Sequence, residues 1–150
     1  GVFVDRPPES VREIADICGL DYVQLHGHEG PRHLEKLSDL KILKATRVGG
    51  EEDIDSLGSY HVRAHLLDAR VPGQAGGTGQ TFDWSLARRA VGQGETVILA
   101  GGLTPDNVED AIREARPFGV DTASGVESAP GEKSRELVED FIQKAKSVRL

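Results

Sequence analysis

The sequence predicts an α/β protein built on a parallel β-sheet. Short apolar or β-branched runs alternate with longer stretches of helical period, the pattern of successive βα units. Six such units fill the 150 residues, and no linker or shift in composition separates them, so residues 1–150 read as one domain. Successive strand starts lie mostly about 20–25 residues apart, which is enough for a crossover between parallel strands.

The strand candidates are residues 2–4, 22–25, 42–45, 65–68, 97–100 and 120–123. The first helix candidate, residues 10–18, opens on Ser10 with Glu13 three positions later, the spacing of a capping box. The second, residues 31–37, begins on Pro31, and proline is well suited to a first helical position. A weak helical pattern covers residues 52–57, and a clearer one covers 82–90. In residues 104–114 Thr104 is placed as the cap, Pro105 at the first helical position and Asp106 in the first turn, where its charge complements the helix dipole. Residues 132–146 form the last helix candidate. A leucine-rich solenoid repeats at a similar period, but its Leu-x-x-Leu-x-Leu spacing is missing. A barrel and an open doubly wound sheet both remain compatible with this order of elements.

Composition narrows the function classes. A net charge of −7, with no basic cluster beyond the pair Arg88 and Arg89, argues against nucleic acid as a partner. The longest apolar run, residues 96–100, falls far short of the roughly 20 residues that span a bilayer, so no membrane is expected either. Gly1 to Val4 carry no basic region or cleavage site of a secretory signal. A single cysteine, Cys18, cannot form an internal disulfide, which suits a reducing cytoplasm. Beside Ile14, Ala15 and Ile17 it is expected to be a buried packing thiol. His28, His33, His61 and His65 lack the spacing of metal ligands, so no metal site is expected. The chain has no Met and opens directly on a strand-like segment, so its beginning is expected to be cut.

In α/β folds ligands bind beyond the carboxyl ends of the strands. Those ends collect His26, Arg47, Asp68, the pair Gly101-Gly102, and Ser124-Gly125. Gly101 and Gly102 run into the helix expected at Thr104, and Ser124-Gly125 makes a second turn with a hydroxyl. Glycine lets the backbone approach an anion, which helix N-termini favour. Asp68 ends an apolar run and is shielded on one side. It is either a general acid of raised pKa or the cap of the next loop. His26 either orients a substrate or bonds a backbone carbonyl, and Arg47 pairs either a substrate anion or a neighbouring Asp. Residues 73–79 hold four glycines and read as a lid or as an irregular surface loop.

Residues 19–27 (Gly-Leu-Asp-Tyr-Val-Gln-Leu-His-Gly) resemble a signature of the phosphoribosylanthranilate isomerases. So do Leu66-Leu67-Asp68-Ala69, the run from Gly76-Gly77-Thr78-Gly79 to Phe82-Asp83-Trp84, residues 99–108 around Gly101-Gly102-Leu103-Thr104-Pro105, Gly119-Val120-Asp121, and Ser124-Gly125-Val126-Glu127. The motifs fall in the family's order and cover nearly the whole chain. The resemblance implies a (β/α)8 TIM barrel lacking its first two βα units, with six parallel strands at barrel positions three to eight. It implies an Amadori rearrangement of N-(5-phosphoribosyl)anthranilate in tryptophan biosynthesis, with no cofactor. Asp68 would be the general acid. His26, Arg47 and Asp121 would line the pocket, and Gly101, Gly102, Ser124 and Gly125 would hold the phosphate. The family's base, a cysteine on its first strand, has no counterpart here, and Cys18 is no substitute. The chain alone is then expected to be inactive and open to self-association through exposed edge strands. Ala123 replaces the first of two serines usual in the last strand. The rival readings are a non-catalytic phosphate-binding module and another phosphosugar barrel isomerase, which would carry an Asp on both its first and fifth strands.

Overall fold

The computed structural model describes residues 1–69 and 83–150. The glycine-rich segment read as a lid lies outside them. Along the chain run β1 (Val2–Phe3), α1 (Pro8–Cys18), β2 (Val23–Leu25), α2 (Pro31–Glu35), β3 (Ile42–Val48) and α3 (Glu51–Asp55). Then come β4 (Ala64–Ala69), α4 (Trp84–Gly92), β5 (Val97–Leu99), α5 (Val108–Ala115) and β6 (Gly119–Val120). A small antiparallel hairpin, β7 (Glu127–Ala129) and β8 (Glu132–Lys133), precedes α6 (Arg135–Ser147).

Strands β1 to β6 form one parallel sheet in the unbroken order 1-2-3-4-5-6. A doubly wound sheet reverses its strand order midway. This one does not, so that rival is excluded. The two faces of the sheet differ in what covers them. One face packs Phe3, Val23, Leu25 and Ile42 against Val11 and Ala15 of α1 and Leu34 of α2. Further along, the same face packs Val48, Leu67, Val97 and Leu99 against α3, α4, α5 and α6 through Ile54, Ala87, Ala111 and Phe141. Among the described residues, the opposite face carries only a small cluster of Ala45, Leu66 and Ala100 with Ile98 beside it.

Several boundaries differ from the sequence-based expectation, each for a local reason. α1 starts at Pro8 rather than Ser10, because proline at the first helical position brings its own helical φ and the capping box is not needed. α4 is capped by Asp83, whose carboxylate accepts from the Ser85 N–H at 2.9 Å. α6 is capped by Ser134, because Glu132 and Lys133 are drawn into the hairpin. Cys18 is exposed, not buried. α1 has two apolar stripes, and the one that packs is Pro8, Val11 and Ala15, which leaves Ile14, Ile17 and Cys18 outside.

Candidate active site

Register and alternation place the polar residues. Side chains two apart on a strand share a face, and residues paired across a ladder share it too. Gln24 pairs Leu43, Ala45 pairs Leu66, Arg47 pairs Asp68, Leu66 pairs Ile98, and Ile98 pairs Gly119. The opposite face, free of helices among the described residues, therefore carries Gln24, His26, Arg47 and Asp68. Asp121 joins them, its N–H extending the ladder to the Leu99 carbonyl at 2.8 Å.

Seven of the eight expected site residues line one cavity of about 200 Å³ at the carboxyl ends of the strands: His26, Asp68, Gly101, Gly102, Asp121, Ser124 and Gly125. Arg47 is not among them. It lines a neighbouring cavity of about 380 Å³ that shares only His26 with the first. The His26 Nε2 lies 3.7 Å from an Asp68 carboxylate oxygen, and its Nδ1 lies 3.0 Å from the Gln24 amide nitrogen. Asp121 has its pKa pushed up, first because the cavity wall removes water from it, then because the Asp68 charge faces it. His26 and Lys133 oppose that shift in part.

The two glycine turns are joined to each other. Gly101 and Gly102 have φ of 81° and 67°, a left-handed backbone that any Cβ would strain. The Thr122 hydroxyl donates to the Leu103 carbonyl at 2.7 Å, and a Cβ on Gly125 would overlap that same carbonyl oxygen. Thr104 does not cap a helix as expected. Its hydroxyl accepts from Asp106 N–H within a turn, and α5 begins three residues after Pro105, at Val108. Asn107 holds that turn from both sides, accepting from Thr104 N–H at 2.8 Å and donating to the Gly102 carbonyl at 3.0 Å. On the other turn, the Lys133 ammonium donates to the Ala123 carbonyl at 2.7 Å and to Glu127 at 2.6 Å. The sequence alone assigns neither Asn107 nor Thr122 a site role; Asn107 lies within the family-like run of residues 99–108, which is the signal that points to it.

Behind His26 lies a buried ion pair. Lys44 and Glu29 are 3.0 Å apart with side chains 4% and 1% exposed. Lys44 also reaches the carbonyls of Leu25 and Gly27, on either side of His26. Glu29 accepts from the N–H groups of Asp5 and Gly27. Burial works against the Glu29 charge, but the N–H groups of Asp5 and of Glu29 itself, with the Lys44 ammonium, outweigh it and hold the pKa below the usual range. Among the described residues no group of three or more His, Cys, Asp and Glu is placed to hold a metal, and no helix is long and apolar enough to cross a membrane.

A parallel sheet with helices packed on one face, and a polar cavity at its carboxyl ends, defines an α/β enzyme of the barrel type. Residues 1–144 match the family model described as N-(5'-phosphoribosyl)anthranilate (PRA) isomerase. A relative of that name from Trichlorobacter lovleyi is 47% identical over 146 residues, which span 97% of this chain and 71% of the relative. Another, from a Geobacter species, is 48% identical over 148 residues, spanning 99% of this chain and 72% of the relative. The crystal structure of phosphoribosyl anthranilate isomerase from Thermotoga maritima superposes with a TM-score of 0.88 at 38% identity, covering 99% of this chain and 72% of that one. A further crystal structure, the isomerase in complex with reduced 1-(o-carboxyphenylamino)-1-deoxyribulose 5-phosphate, superposes with a TM-score of 0.84 at 36% identity, covering 99% and 71%. The chain belongs to the N-(5'-phosphoribosyl)anthranilate isomerase family, isomerases of tryptophan biosynthesis.

Proposed function

We propose that this chain supplies the general acid and the phosphate site for the Amadori rearrangement of N-(5-phosphoribosyl)anthranilate to 1-(2-carboxyphenylamino)-1-deoxyribulose 5-phosphate, in the cytoplasm and without a cofactor, and that by itself it is inactive. The observation that carries the reading is the meeting of seven candidate residues in one cavity of a chain with this family match. Asp68 is the general acid. It gives its proton to the furanose ring oxygen as the bond from that oxygen to C1′ breaks, while the anthranilate nitrogen lone pair forms the C1′=N bond. A base then takes the C2′ proton. The C2′–H electrons form C1′=C2′, the C=N electrons return to nitrogen, and the enolamine tautomerises to the C2′ ketone.

By the resemblance that base is a cysteine on the family's first strand, and no residue of 1–150 matches its position. Cys18, exposed at the end of α1, does not line the cavity. The turns at Gly101-Gly102 and Ser124-Gly125 hold the phosphate: the positive φ of Gly101 and Gly102 turns backbone N–H groups toward an anion, and the Ser124-Gly125 turn lines the same cavity with a hydroxyl. His26 and Asp121 contact the sugar, and Arg47 reaches in from the adjoining cavity. Strands β1 to β6 correspond to barrel positions three to eight, a reading supported by their unbroken order and by the open edges of β1 and β6. On its own such a sheet is open to self-association along those edges.

Asp68→Asn tests the chemistry in a polypeptide that contains residues 1–150 and turns over. We expect kcat to fall by at least about 10²-fold, the usual worth of a positioned general acid, with KM nearly unchanged. Near-normal turnover would remove Asp68 from the mechanism. Tight binding of the phosphorylated product with no turnover even when the cysteine base is supplied would favour a binding module instead.

A further inference from the structure

We propose that Gln24 is a positioning residue that sets the tautomer of His26, and through it protects the proton of Asp68. The inference rests on the isomerase reading above. Gln24 and His26 are two apart on and just beyond β2, so both side chains stand on the helix-free face. The Gln24 amide nitrogen faces His26 Nδ1 at 3.0 Å. An amide nitrogen only donates, so Nδ1 accepts and carries no hydrogen. The neutral ring then holds its hydrogen on Nε2, and Nε2 is the atom aimed at Asp68, 3.7 Å from its carboxylate.

That choice of tautomer matters to the acid. With hydrogen on Nε2, the ring offers Asp68 a donor, which becomes useful once Asp68 has given its proton to the sugar and is left as a carboxylate facing Asp121. At 3.7 Å the N–H is near but not committed to a hydrogen bond, so it is free to shorten onto the new charge. The opposite tautomer would turn a bare nitrogen lone pair toward Asp68. That lone pair would accept the Asp68 proton and compete with the sugar oxygen for it. Gln24 touches neither the sugar nor the phosphate in this scheme. It acts only through His26.

The test reads the ring first and the rate second. In the 150-residue chain with ¹⁵N-labelled histidine, the His26 ring should show an unprotonated Nδ1 and a protonated Nε2 at a pH where it is neutral. Gln24→Glu replaces the donor with a carboxylate that can only accept, so the hydrogen should move to Nδ1. Gln24→Met keeps the length of the side chain, removes the donor, and should give a mixture of tautomers. In a polypeptide that turns over, Gln24→Glu should lower kcat about tenfold, the worth of one hydrogen bond, with KM within about twofold. Gln24→Met should fall between the two. A merely structural role would leave the ring nitrogens as they are in both variants, and that result overturns the proposal. So does an unsubstituted ring protonated on Nδ1, which needs no variant to fold. Absence of turnover in a polypeptide that also supplies the cysteine base would fail the isomerase reading instead, since the ring spectra need no substrate.

Discussion

The two faces of the sheet are built from the same strands and have opposite properties. On the helix-covered face Val23, Leu25, Val48, Leu67, Val97 and Leu99 are at most 1% exposed and apolar. On the other face the neighbouring positions are Gln24, His26, Arg47, Asp68 and Asp121, and the apolar contacts there shrink to Ala45, Leu66, Ala100 and Ile98. The pleat makes this possible, because a period of two lets one residue serve the core while the next serves the cavity. Leu67 and Asp68 are the clearest adjacent pair. The lesson is that substitutions one position apart should fail in different ways: those on the covered face through stability, those on the cavity face through turnover at nearly constant stability.

The largest effect should come from Lys44, which stands on the covered side yet is charged. Lys44→Met leaves the Glu29 carboxylate buried without its cation, an imbalance that typically costs about 3–5 kcal/mol. Urea denaturation reads it directly. A loss well under that range would mean that the N–H groups of Asp5 and Gly27 satisfy Glu29 by themselves.

A smaller effect is expected from His65, also on the covered side and 1% exposed. Burial lowers its pKa from the ordinary 6.5, and the Glu95 carboxylate 3.3 Å away opposes that only in part. The folded ring thus stays neutral while the unfolded chain takes up a proton as pH falls below 6.5. The associated stability is complete above that pH and is lost as pH falls toward the folded value, at no more than about 1.4 kcal/mol per pH unit. Urea midpoints measured near neutrality and near about pH 5.5 should diverge less in His65→Phe than in the unsubstituted protein. Equal divergence would show that His65 carries none of the slope.

The smallest stability effect, and the sharpest contrast, belongs to Asp121. Its raised pKa means that folding opposes its charge. That cost is present above the folded pKa and vanishes as pH falls below the ordinary 3.8. At neutral pH Asp121→Asn should leave stability unchanged or raise it by less than about 1 kcal/mol, because water screens the open side of the carboxyl. Turnover should fall. A clear loss of stability would erase the distinction between the faces at this position.

These contrasts also explain what could be read from the sequence. The strands and the covered core follow local alternation and apolar content, so residues such as Val97 to Leu99 were legible, and so was the clustering of His26, Asp68 and the glycines at the strand ends. What was not legible depends on partners far along the chain. Lys44 meets Glu29 across 15 positions, and Thr122 meets Leu103 across 19. The hairpin of β7 and β8 has no apolar alternation to announce it, being closed by Gly131, Glu127 and Lys133. Cys18 was misread because α1 offers two apolar stripes, and only the tertiary fold decides which one is covered. Arg47 sits at a strand end like the others, but the neighbouring cavity claims it.

The bond from Thr122 to the Leu103 carbonyl, with Gly125 seated against that carbonyl, has a meaning for how such proteins are recombined. The loop after β5 and the loop after β6 share a carbonyl, so neither is an independent module. Exchanging the β5 unit alone between relatives would bring a foreign carbonyl beneath a resident glycine and hydroxyl. Exchanging both units together would carry the joint across intact. The natural seam for a chimera therefore lies before β5, not between β5 and β6.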